Sequence, residues 1–130
     1  MIRVPTPLAV QLAWHRATLA GMRPERYEDV PEAGWYKRRA VKDGPWLPVR
    51  VWIEQDIDPI SGELLAPERF RASCLGESVD PARMWTYLRP ISRDEYDALV
   101  RLHRDLDAMA ATHAPIDLST TILTPQRSLS

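Results

Sequence analysis

Three histidines, one cysteine and a run of acids are the side chains here with chemical potential, and their spacing decides what they can do. His15, His103 and His113 lie far apart, and none has a second His or Cys at metal-ligand spacing. Cys74 is the sole cysteine, so alone it forms neither an internal disulfide nor a structural zinc site. No nucleophile motif surrounds it, and a Cys–His–acid constellation would have to be assembled from dispersed residues. Packing is the expected role of the thiol, and a hydrogen-bonded boundary position that of His103. The acids Glu54, Asp56, Asp58, Glu63 and Glu68 invite a calcium loop. Counting from Asp56, however, Gly62 stands seventh where the EF-hand needs glycine sixth, and Ile60 takes the fifth, a ligand position. A solvated turn is the expectation. The five glycines are scattered, none as G-x-G, so no phosphate loop is present. These residues predict a chain that is not an enzyme and carries no cofactor or metal.

The segment with most potential lies between Trp35 and Trp52, where Lys37, Arg38, Arg39, Lys42 and Arg50 face one acid, Asp43. Strand alternation puts Arg50 and Trp52 on one face, joined by Trp46. The candidate partner-binding residues are Arg38, Trp46, Arg50 and Trp52, with Lys37 and Arg39. Trp, Tyr and Arg dominate protein interfaces, and an acidic partner surface would complement this charge. The alternative is a single-stranded nucleic-acid-binding module, in which guanidinium groups neutralise phosphate and indoles stack on bases at roughly 1–3 kcal/mol each. A formal net charge of −1 disfavours that alternative. The purely structural reading is that a helix covers the tryptophans and the bases are merely solvated. A second candidate surface is the tail, where Ile116, Leu118, Ile122 and Leu123 sit in uncharged polar sequence. Such a segment adds a strand to a neighbour's sheet edge, giving a homo-oligomer, or packs on its own domain.

The elements that must position these residues follow from pattern. Leu8, Leu12, Ala13, Trp14, His15, Ala17 and Leu19 give a helix within Pro5 to Met22, with Thr6 at Ncap, Pro7 at N1 and a left-handed cap at Gly21. Trp35 to Lys42 and Trp46 to Gln55 flank the turn Asp43-Gly44-Pro45 as a hairpin, with Leu47, Val49, Val51 and Ile53 facing the core. Pro48 suggests an edge strand or a bulge. Glu68 to Leu75 supplies a third strand with Phe70, Ala72 and Cys74 on one face. Asp80-Pro81 opens a short helix through Trp85 and Tyr87. Ser92 and Glu95 form a capping box for a long helix carrying Tyr96, Leu99, Leu102, Leu106 and Met109.

At 130 residues the chain suits one domain, placed at residues 1–113, with an extended tail at 114–130. The predicted class is α+β: a small antiparallel sheet of three or four strands, flanked by an N-terminal helix and a long C-terminal helix. No apolar run approaches a membrane span, and no secretion signal opens the chain. Taken together, Gly34-Trp35-Tyr36, the run Gly44 to Trp52, Asp58-Pro59 with Gly62-Glu63-Leu64, Val79-Asp80-Pro81 with Trp85, and Pro90-Ile91-Ser92 with Glu95-Tyr96 resemble small uncharacterised bacteriophage- and prophage-encoded proteins. The resemblance runs from Gly34 to about Leu118. It implies a phage or prophage origin and transfers no functional residues. The span and signal patterns and the single cysteine predict a cytoplasmic location, which with that origin is a bacterial host cell or a virion-associated state. The expected function is that of an accessory protein binding another protein, in virion or replication assembly or in modulation of a host system.

Overall fold

The structure, a computed structural model, describes residues 4–113; the tail expected at 114–130 lies outside them. It comprises two compact units, residues up to 99 and residues from 100. Among the described residues the first unit holds one antiparallel five-stranded sheet. Its strands are β1 (Gly34–Arg39), β2 (Trp46–Glu54), β3 (Arg69–Cys74), β4 (Glu77–Val79) and β5 (Arg89–Pro90), in the order β4-β3-β2-β1-β5.

The β1–β2 hairpin forms where Trp, Tyr, Val and Ile concentrate, with Arg39 opposite Trp46 and Gly34 opposite Val51. Asp43 takes a φ of 60° and the Gly44 amide donates to the Val41 carbonyl, closing the turn. Alternation then divides the side chains. Tyr36, Val49, Val51, Ala72 and Cys74 enter the core, and Leu47 and Phe70 pack against it. Pro48 sits in a central strand rather than at an edge. The β2–β3 ladder begins only at Val49 opposite Cys74, so β3 does not flank β2 at the proline and the missing donor disrupts little. Two strands had no sequence expectation, because β4 and β5 are only three and two residues long.

The core face is closed by a layer of short helices. The expected first helix is two, α1 (Leu8–Gln11) and α2 (Ala13–Leu19), separated at Leu12. Thr6 does not cap it: its hydroxyl donates to Glu68, and Pro7 takes the cap position. Gly21, with φ of 88°, ends α2 as expected, its amide donating to Thr18 and that of Met22 to Ala17. Asp80 caps α3 (Pro81–Met84) by accepting from the amides of Ala82 and Arg83, and a 3-10 turn (Trp85–Tyr87) follows. Fully buried Trp85 packs on Tyr36 and Trp14, each with ring centroids 5.3 Å away. Such pairs add about 0.5–1.5 kcal/mol each beyond area burial.

The loop between α2 and β1 has no helix or strand, yet it is pinned. The indoles of Trp14 and Trp85 donate to the carbonyls of Glu25 and Tyr27. Arg26 stacks 4.2 Å over Trp85 and donates to the carbonyls of Trp85 and Leu88.

Helix α4 (Arg93–His113) starts as its sequence dictates at Ser92, whose hydroxyl accepts from the Glu95 amide. The other half of the expected capping box is absent. The Glu95 carboxylate instead accepts from Lys37 Nζ at 2.9 Å, tying the first turn of the helix to β1. Among the described residues, no helix is long and apolar enough to cross a membrane.

Candidate functional site: a basic, tryptophan-bearing sheet face

Opposite the core, the sheet presents Trp35, Lys37 and Arg39 from β1, Trp46, Arg50, Trp52 and Glu54 from β2, Arg69 and Arg71 from β3, and Arg89 from β5. The register alone requires it, since Trp35 pairs with Arg50, Lys37 with Arg89, Arg39 with Trp46, and Trp52 with Arg71. Six bases thus stand against one acid, Glu54, among the described strand residues of this face.

Their partners separate into two kinds. Glu54 holds Arg69 at 2.6 Å and Arg71 at 3.7 Å, which keeps its carboxyl below the usual range, and Lys37 meets Glu95. Arg39, Arg50 and Arg89 lie over indoles instead. Arg39, Lys37 and Arg89 surround Trp46 at 4.2, 4.7 and 5.4 Å from its centroid, and Arg50 lies 5.3 Å from that of Trp52. Cations over ring faces are attracted by the ring quadrupole, about 0.5–1 kcal/mol each where exposed. Arg39, Arg50 and Arg89 are exposed while Trp35, Trp46 and Trp52 are half-buried.

Of the residues expected to form one surface, Lys37, Arg39, Trp46, Arg50 and Trp52 therefore share a face, and Arg38 does not join them. It pairs with Leu47 on the core side, where its Nε is buried without a hydrogen bond and its charge bears on the Cys74 thiol. The alternation that sends Tyr36 inward sends Arg38 the same way. The contributors not foreseen are Trp35, Arg69, Arg71 and Arg89 on the strands, and Arg93 at the start of α4, whose guanidinium lies 5.5 Å from the Trp35 centroid. The competing reading, in which the long helix covers the tryptophans, finds contacts from the first turn of α4 to Trp35 and Lys37.

The remaining chemically capable residues are engaged elsewhere. Cys74 is buried, and burial pushes its thiol up, against the lowering effect of Arg38. Glu68 lies in a cleft of about 530 Å³ with Glu54 and Asp56, but it accepts from Gln55 and from the amide and hydroxyl of Thr6, which hold it below the usual carboxylate range. Asp58 accepts from the Ile60 amide in a closed turn. Among the described residues no three His, Cys, Asp or Glu side chains converge on a metal position.

No family model, curated protein or solved structure matches this chain.

Proposed function

We propose that this chain is a non-enzymatic accessory protein that docks an acidic surface of another protein onto the outer sheet face, with Trp46 at its centre. The observation that carries the reading is the ring of Lys37, Arg39 and Arg89 around one indole. Stacking holds these cations in place, so a partner's carboxylates meet donors that lose little side-chain freedom on binding. The same feature favours protein over single-stranded nucleic acid. Bases need open ring faces, and the faces of Trp46 are already contested by three cations. The phage or prophage setting implied by the sequence resemblance is part of this proposal.

Affinity capture from native cells tests it, using the full chain and an Arg39→Ala/Arg89→Ala variant. A partner retained by the first and lost by the second, with the circular dichroism spectrum unchanged, supports the reading; undiminished capture refutes it. Binding of a labelled single-stranded oligonucleotide that weakens about tenfold or more from about 50 to about 200 mM salt would replace it with the nucleic-acid reading.

A further inference from the structure

At the open end of the β1–β2 hairpin, where Gly34 faces Val51, the sheet and α1 enclose a cavity of about 140 Å³. Its walls combine two chemistries. Leu12, Ala33 and Val51 are buried and apolar. Trp35 and Trp52 are half-buried, and each carries a guanidinium, Arg93 at 5.5 Å from the Trp35 centroid and Arg50 at 5.3 Å from that of Trp52. Both arginines also line the cavity, and both are exposed.

We propose that this cavity receives the C-terminal residue of a partner protein, with an apolar side chain inside and the α-carboxylate between Arg50 and Arg93. The inference rests on the reading of this face as a protein-docking surface. Size sets the first limit. An apolar cavity of roughly 150 Å³ accommodates a benzene ring, so this one suits a leucine- or phenylalanine-sized group, well below the roughly 300–1,000 Å³ of drug or cofactor sites.

Charge sets the second limit. Two guanidiniums beside an apolar chamber match a group that carries a carboxylate and an apolar body together. Internal Asp or Glu lacks the body, and internal Leu or Phe lacks the charge; a chain's last residue has both. The internal competitor is weak, because Arg93 meets Asp97 only at 3.9 Å on an exposed helical turn. Leu8 extends the apolar wall outward, lining the cavity while 64% exposed. That surface offers contacts to the residues preceding a terminus, which a free acid would not use.

Titration of the full chain with acetylated hexapeptides ending in Leu or Phe, followed by tryptophan fluorescence and calorimetry, tests the proposal. The free acids should saturate below millimolar concentration. Their C-terminal amides should bind at least about tenfold more weakly, and Arg50→Gln/Arg93→Gln should weaken the free acids to the same degree. Absence of saturation by either free acid, equal binding of the amides, or an unchanged affinity in the variant overturns it. So does N-acetylphenylalanine binding as tightly as the hexapeptides, which would make this a site for free acids. Should the variant fail to fold, the acid and amide comparison on the natural chain still decides. Partner capture that is lost in Arg39→Ala/Arg89→Ala but unchanged in Arg50→Gln/Arg93→Gln removes the cavity's role and leaves the docking face standing.

Discussion

Gly34 and His15 lock α2 to the start of β1. A Cβ at position 34 would lie 2.3 Å from His15 Cδ2, closer than any side chain tolerates, and the backbone there has φ of 154°. His15 is 2% exposed, and its Nε2 lies 2.8 Å from the Trp35 carbonyl oxygen and 3.2 Å from the Trp35 amide nitrogen. Gly34→Ala should therefore destabilise the fold by about 1–3 kcal/mol, read from the denaturant midpoint. In a His15→Ala background the same change should cost much less, since the clashing ring is gone; equal costs would assign the effect to backbone conformation alone. The ring also makes stability depend on pH. Burial lowers the pKa of His15, outweighing the carbonyls of Trp35 and Ile91, which raise it. The unfolded chain thus takes up the proton first as pH falls through about 6.5. The stabilisation is present above that value and is lost as pH falls toward the lower folded value. Urea midpoints should drop between about pH 7 and pH 5 and stay flatter in His15→Ala, whereas Glu54 and Glu68, held low by Arg69 and Gln55, respond only under more acid conditions. The sequence put His15 on the apolar side of the first helix, and it is buried there. Its bond to a strand twenty residues on, like the inward turn of Arg38, depends on tertiary pairing. The Arg38 placement was nonetheless available from parity with Tyr36.

Among the elements, the β3–β4 connection carries visible strain. Leu75 and Gly76 form its two-residue turn with φ of 51° and 87°, and Cys74 pairs with Glu77 across it. Two successive positive φ values match the turn that suits tight hairpins, whose favoured sequence is Asn-Gly. Leucine pays roughly 1 kcal/mol or more in that conformation, and its side chain is 45% exposed, so little packing opposes its removal. Leu75→Asn should stabilise the protein by about 0.5–1 kcal/mol and raise the melting temperature by a few degrees. An unchanged or lower melting temperature would mean that Leu75 contributes packing its exposure conceals. This turn also shows why part of the sheet was hidden. A strand of three residues after an unfavourable turn residue gives no period-two pattern, and the two residues of β5 give still less. The hairpin, the third strand, the Asp80 cap and the long helix were legible because each joins a recognisable terminus or turn to several residues of consistent alternation or periodicity.

Across the molecule, charge is uneven in a way the total conceals. The formal net charge is −1 with a pI near 6.3, yet the outer sheet face carries six bases against one acid among its described strand residues. The rest of the chain must therefore be net acidic. At physiological ionic strength fields decay over about 8 Å, so a surface meeting this face senses the local positive charge more than the total. Orientation near a charged support should then outweigh pI. At about pH 7.5 and low salt, where a uniformly charged protein of this pI would pass through a sulfonate cation exchanger, this chain should be retained and should elute by about 0.15 M salt. Arg39→Glu/Arg50→Glu/Arg89→Glu should flow through, while three charge reversals among the exposed bases Arg16, Arg23 and Arg83 should leave a measurable share of the retention. Passage of the natural protein without retention would show that its acids screen the face, and an acidic partner would then need apolar contacts rather than charge to find it.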